Sequence, residues 1–226
     1  MRMRKKKHLD ERVEACGKWY IRLLSDDLNF ESAIEKKDYI DTAALFCNDN
    51  PIYLEIGCGK GQFACQSALL NPGINFLAVE RSCNVIVQAC EKAKNLGLEN
   101  IRFIDCNAMY LPKFLKDNTI SRIYLNFSCP YPKKSYASHR LTHKNFLKIY
   151  DMLLAPGGEI HQKTDNAGLF EFSIEQLSDY GFTVKNVSLD LHGSDFEGNI
   201  ETEYEAKFAA LGQPIYRLEA YLKEKE

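Results

Sequence analysis

The sequence predicts an α/β fold with one doubly wound, mostly parallel sheet of seven strands flanked by helices. Three observations carry this expectation. Short apolar runs of strand length alternate with helix-periodic segments through most of the 226 residues. Gly, Pro and Asn punctuate the changes between them. The first strand ends in a glycine-rich turn that opens directly into a helix.

Residues 1–48 form a basic N-terminal arm and helix, without strand signals, ahead of a domain spanning 49–226. "LDERVEACGKWYIRLL" (9–24) has helical spacing, with Leu9, Val13, Cys16 and Tyr20 on one side, and Trp19 and Tyr20 are expected to pin it to the core. "PIYLEIG" (51–57) is a buried strand, and "GQFACQSALLNPG" (61–73) a helix stopped by Asn-Pro-Gly. "INFLAVE" (74–80) is the second strand, followed by the helix "CNVIVQACEKAKNLGL" (83–98) and the third strand "NIRFIDC" (100–106). A short helix near "LPKFLK" (111–116) leads to the fourth strand, "ISRIYLNF" (120–127). "HKNFLKIYDMLLAPGG" (143–158) is a helix ending in a Pro-Gly-Gly turn, and "EIHQKT" (159–164) the fifth strand, with His161 packed in the sheet. "AGLFEFSIEQLSDYG" (167–181) is a helix, "FTVKNVSLDL" (182–191) a sixth strand, and the alternation in "ETEYEAKFAAL" (201–211) suggests a seventh.

A net charge of −2 excludes a generally basic nucleic-acid coat, so any anion binding depends on local clusters. Two exist: Arg2, Arg4, Lys5, Lys6, Lys7 and His8 at the N-terminus, and Lys133, Lys134, His139, Arg140, His143 and Lys144 in the middle. The eight cysteines show no CxxC spacing and no His/Cys ligand pattern. They read as free thiols in a reducing cytosol, and no metal is expected. No secretory h-region follows the N-terminal charges, and no run approaches the ~20 apolar residues of a membrane span.

The turn "LEIGCGKGQF" (54–63) places Gly57, Gly59 and Gly61 between strand and helix. Glycines allow tight turning and close approach to a ligand. The spacing is GxGxG rather than the dinucleotide GxGxxG, and the Walker pattern is absent because Gln62 stands where Ser or Thr is needed. Glu55 before the turn would repel a pyrophosphate but suits a cation such as the ammonium of S-adenosylmethionine. Glu80, ending the second strand, can accept from both ribose hydroxyls, and Asn107, following the third, can read an adenine edge. Each alone reads equally as a polar loop-edge residue. Together, at three successive strand tips, they point to an adenosine-type cofactor.

After the fourth strand comes "NFSCPYPKKSYASHRL" (126–141). Pro130 and Pro132 fix the backbone and lower the ordering cost of binding. Tyr131 offers a flat face to a base, and Lys133 and Lys134 offer charges to phosphates. Asp165 follows the fifth strand and reads either as a residue near the same cleft or as the N-cap of the next helix.

"YLEIGCGKGQF", "FLAVERS", "NFSCPYPKKSYASHRL", "KTDN" and "TEYEAKF" together resemble the bacterial tRNA (guanine-N7-)-methyltransferases of the TrmB type, over nearly the whole chain. The resemblance implies a Rossmann-like class I methyltransferase fold, S-adenosylmethionine as methyl donor, and a guanine in the tRNA variable loop as acceptor. It implies a cytoplasmic enzyme, monomer or homodimer. By position, Glu55, Glu80, Asn107 and Cys129 would meet the cofactor; Lys133, Asp165, Thr202, Glu203, Tyr204 and Glu205 the substrate. Ser135, Tyr136, Ala137, Ser138, His139 and Arg140 would lie against RNA.

One departure stands out. The family loop normally reads Asp-Pro-Trp-Pro-Lys, whereas here Cys129 and Tyr131 replace the acid and the tryptophan. Guanine N7 is already nucleophilic and has no proton to lose, so no general base is obligatory. A carboxylate would still favour the cationic purine that forms. A thiolate adding to a ring, as in pyrimidine C5 methylation, has no task at a purine N7. Cys129 is therefore the catalytic position of the family occupied by a thiol. Slow methylation is one consequence; an RNA-binding pseudoenzyme, or a methyltransferase for another RNA or a small molecule, are the other readings.

Overall fold

The computed structural model describes residues 7–23 and 35–223. Arg2, Arg4, Lys5 and Lys6 of the first basic cluster lie outside the described residues. The chain divides into two compact units, one ending at Lys116 and the other beginning at Asp117.

In the first unit, β1 (Tyr20–Arg22), β2 (Ile52–Ile56), β3 (Asn75–Glu80) and β4 (Ile101–Asp105) lie in the order β1-β4-β3-β2, all parallel. Strand β3 is buried at every residue except its last, as expected of a parallel strand covered on both faces. The register sets Ile56 beside Val79, Val79 beside Ile104, and Glu80 beside Asp105, so the carboxyl ends of β2, β3 and β4 are level. The helices are α1 (Leu9–Cys16), α2 (Thr42–Phe46), α3 (Gln62–Leu70), α4 (Cys83–Asn95) and the single turn α5 (Leu111–Phe114). The Asp41 side chain caps α2 by accepting from Ala44 N–H.

The lead-in helix is shorter than its periodicity suggests. Gly17, at φ 52°, ends α1; a 3₁₀ turn over Gly17–Trp19 follows, and Tyr20–Arg22 then pairs with β4 as an edge strand. Trp19 Nε1 donates to Leu98 O at 2.6 Å and Tyr20 Oη to Asp105 Oδ2 at 2.5 Å, so both aromatic residues anchor the segment as expected. Arg12 adds a two-pronged pair with Glu91, both contacts at 2.7 Å.

In the second unit, β5 (Ile120–Asn126), β6 (Leu154–Thr164), β7 (Phe182–Ser188) and β8 (Tyr216–Leu222) lie in the order β5-β6-β8-β7. β5 and β6 are parallel, and β8 runs antiparallel to both β6 and β7. The helices are α6 (Lys144–Leu153), α7 (Ala167–Tyr180) and α8 (Glu203–Ala209). Pro156, Gly157 and Gly158 do not end a helix. They bulge from β6, where the register with β5 jumps from Ile120–Leu154 to Arg122–Glu159.

The segment expected as the seventh strand is α8 instead. Thr202 Oγ1 accepts from Glu205 N–H, and Glu205 reaches back to Thr202 N–H, a capping box that starts a helix. The strand that closes this unit lies further on, at β8. With β1 added, the described residues form eight strands rather than seven.

Candidate active site

The level strand ends of the first unit carry the cofactor candidates. Gly57, Gly59 and Gly61 all take positive φ, at 82°, 56° and 73°. Gly57 N–H and Cys58 N–H both donate to Val79 O, at 2.8 and 3.0 Å, which folds the turn over the end of β3. A Cβ on Gly57 or Gly59 would meet nothing within 4 Å, so these two glycines serve the backbone's shape and leave open space beside it. Gly61 caps α3, with Cys65 N–H donating to its carbonyl at 3.0 Å.

Glu55 is 4% exposed. Burial, then the negative charges of Glu55 and Glu80, push the Cys58 thiol well above its ordinary range. Glu80 Oε1 accepts from Ser82 N–H at 3.0 Å, which orients the carboxylate at the end of β3. Asn107 is exposed, and its Oδ1 accepts from Met109 N–H at 3.1 Å to cap a 3₁₀ turn. An anionic pair beside a glycine turn with room at its backbone fits a cationic, hydroxyl-rich nucleoside and disfavours a phosphate.

The second unit carries the substrate candidates. After β5, Phe127 turns into the left-handed region at φ 49° while its N–H donates to Lys163 O at 2.8 Å. Its ring lies nearly parallel to those of Tyr204 and Phe208, with centroids 6.5 and 6.4 Å away. Cys129, Pro132, Lys133, Lys134, Ser135, Tyr136, Ser138 and His139 are exposed, while Tyr131, Ala137 and Arg140 are half-buried. A six-residue 3₁₀ turn spans Lys134–His139.

Arg140 has a task the sequence did not suggest. Its Nε and Nη2 donate to Pro130 O and Tyr131 O, both at 3.0 Å, and its guanidinium lies 4.4 Å from the centre of the Phe172 ring. Tyr131 sits at φ 41°, an unfavourable conformation for a residue with a Cβ, and this two-pronged brace holds it there. The His139 ring is 5.5 Å from Tyr131 and 5.8 Å from Tyr136.

Asp165 is half-buried after β6. The N-cap of α7 is its neighbour Asn166, whose Oδ1 accepts from Leu169 N–H at 2.8 Å, so the capping role considered for Asp165 falls away. Within the run 202–205, the side chains divide. Thr202 and Glu205 are buried in the capping box, whereas Glu203 and Tyr204 are exposed. Lys163 was overlooked from sequence. The signal was a cation in the middle of a buried strand, "HQKT", which requires an anionic partner.

One cluster has the side-chain types of a cation site: Glu159, His161 and Glu219. It already holds cations. Glu159 contacts Arg122 at 3.2 Å and Lys185 at 2.5 Å, and Arg217 bonds Glu219. Burial opposes ionisation of Glu159, yet Lys185 and His161 hold its carboxyl down to about 2. Burial and then the Arg122 charge lower His161 to about 4. This is an ion-pair network across β6 and β8, and His161 packs in the sheet as expected.

A protein-family profile described as "Putative methyltransferase" matches residues 49–218. The tRNA (guanine-N(7)-)-methyltransferase of Bacillus licheniformis is 51% identical over 177 residues, covering 78% of this chain and 83% of that protein. That of Bacillus subtilis strain 168 is 50% identical over 175 residues, covering 77% and 82%. Among solved structures, the 16S rRNA methyltransferase KamB superposes with a TM-score of 0.57 at 15% identity, covering 89% of this chain and 95% of that one. Precorrin-6y C5,15-methyltransferase from Geobacter metallireducens gives 0.54 at 16% identity, covering 89% and 94%. The fold is therefore that of the class I methyltransferases, and the chain belongs to the tRNA (guanine-N(7)-)-methyltransferase family.

Proposed function

We propose that this chain transfers a methyl group from S-adenosylmethionine to N7 of a guanine in the variable loop of tRNA, in the cytoplasm. The observation that carries the reading is the identity of about half of all aligned positions with tRNA (guanine-N(7)-)-methyltransferases over most of both chains. Glu55 would hold the ammonium of the cofactor, Glu80 its ribose hydroxyls and Asn107 its adenine edge. The glycine turn lets the backbone come close. When bound, S-adenosylmethionine supplies an electrophilic methyl on a sulfonium.

The acceptor needs no deprotonation, because N7 carries a lone pair and no proton. The task of the chain's own residues is to hold the purine in line and to favour the cation that forms. Tyr204 offers an exposed aromatic face, and Tyr131 a braced one. Lys133 and Lys134 offer charges to the phosphate backbone, and the exposed 3₁₀ turn from Lys134 to His139 continues that rim. Cys129 is a thiol where the family has a carboxylate, and the half-buried Asp165 takes over the task of favouring the cationic purine.

The test is nucleoside mass spectrometry of tRNA incubated with the protein and S-adenosylmethionine, followed by mapping of the modified position. 7-Methylguanosine in the variable loop supports the reading. Binding of tRNA without methyl transfer would leave a pseudoenzyme, and transfer to a small molecule without affinity for RNA would point to a different substrate.

A further inference from the structure

We infer that Lys163 is a positioning residue for the reaction: its buried ion pair with Glu205 fixes the aromatic platform on which a nucleobase stacks at Tyr204. The inference rests on the reading above that Tyr204 meets RNA.

Lys163 touches both segments that build the platform. Its carbonyl accepts from Phe127 N–H at 2.8 Å, holding the left-handed turn that aims the Phe127 ring. Its Nζ donates to Glu205 Oε2 at 2.6 Å, to Asn199 Oδ1 at 3.0 Å and to Ile200 O at 2.8 Å, so all three ammonium protons are engaged. Glu205 follows Tyr204 directly and is 0% exposed. Its carboxylate also accepts from Asn199 Nδ2 at 2.5 Å and Thr202 N–H at 3.4 Å, and lies 3.3 Å from His192 Nε2.

The consequence is a rigid start to α8. Tyr204, its second residue, is 60% exposed even though its ring lies against Phe127 and Phe208. An exposed ring backed by two others is a stacking face for an unpaired base. A buried ion pair is an expensive way to gain stability, because desolvation offsets most of the attraction, and apolar residues of similar size commonly do as well. What the pair gives that they cannot is directional bonding to Asn199, Ile200 and Thr202. Glu205 and Thr202 therefore belong to the frame behind the platform, and Glu203 and Tyr204 to its face.

The experiment compares Lys163→Met/Glu205→Gln, which leaves no uncompensated charge, with Tyr204→Ala and with the triple variant. Thermal unfolding, S-adenosylmethionine affinity by calorimetry, and kcat and KM for tRNA are read for each. We expect the double variant to raise KM for tRNA on the order of tenfold, with cofactor affinity changed by less than about twofold. In the Tyr204→Ala background the same double change should cost nothing further, because both act through one ring. Lys163→Arg, which keeps the charge but not the three-way geometry of the ammonium, replaces the double variant with the same readouts and expected direction should that not fold. An unchanged KM for tRNA in the charge-pair variant, or an equal fractional loss with and without Tyr204, overturns the inference while leaving the RNA role of Tyr204 standing. A silent Tyr204→Ala overturns that role and the inference with it.

Discussion

A Cβ built on Gly61 would lie 2.6 Å from the Cβ of Ala89. Helices α3 and α4 thus approach each other at the cap of the glycine turn more closely than any side chain allows. Gly61→Ala should destabilise the fold by on the order of 3 kcal/mol, from overpacking added to a positive φ. Gly57→Ala meets no atoms and keeps only the backbone penalty, about 1–2 kcal/mol. Urea unfolding of both variants checks the order, and Ala89→Gly should recover part of the loss only for Gly61→Ala.

Arg140 is basic and lies in the segment expected to face RNA, yet its guanidinium serves the loop. Arg140→Lys should lower kcat while leaving the salt dependence of tRNA binding as it was, since an ammonium cannot span two carbonyls and stack on Phe172. Lys133→Ala should weaken binding and reduce the slope of log K against log salt by about one. Equal slopes for the parent and Lys133→Ala would remove Lys133 from the phosphate contacts.

Cys129 is exposed at the position where the family places an acid. Cys129→Asp should raise kcat on the order of tenfold by favouring the cationic purine, whereas Cys129→Ala should leave it near the parent value. Methyl-transfer rates at saturating tRNA decide the matter. No gain with Asp and no loss with Ala would reduce the position to a turn residue.

Acid should weaken the fold through the network on β6. His161 is lowered from its ordinary 6.5 to about 4, so the folded state binds its proton less readily than the unfolded chain. Its contribution is present above pH 6.5 and declines as pH falls towards 4, on the order of 3 kcal/mol in total. Glu159, held down to about 2, adds a second loss as pH falls from about 4.5 towards 2. His161→Gln should flatten the stability profile between pH 4 and 6.5 and also soften the lower limb, because His161 helps hold the Glu159 carboxyl down, as followed by urea unfolding across that range. Glu159, Glu219 and Arg122 are the charged groups that face the imidazole.

Strands β2 to β7 were legible because apolar runs of strand length stand between clear turn signals. β8 was not, because Arg217 and Glu219 are buried within it at 5% and 8% exposure, and two charges on an inward face break the pattern that marks a strand. β1 has three residues, too few for periodicity. "TEYEAKF" alternates over too short a span to separate strand from helix, and the capping box decides it. Glu55 and Glu80 stood out as candidates because strand tips are where such folds bind ligands. The braces made by Arg140 and Lys163 did not. One brace ends on backbone carbonyls, and the other on a carboxylate 42 positions away, and neither partner leaves a mark in local sequence.

Seven of the eight cysteines are either buried or exposed, and Cys83 is half-buried. Cys16, Cys58, Cys65, Cys90 and Cys106 are buried, and burial raises each of their thiols, Cys65 and Cys106 to about 12. Cys47 and Cys129 are exposed. A maleimide dye used sparingly would therefore settle mainly on these two, and with Cys47→Ser on the lip of the Pro-bounded loop. A dye there gives a fluorescent vantage point from which the arrival and departure of a nucleic acid could be timed in a stopped-flow instrument.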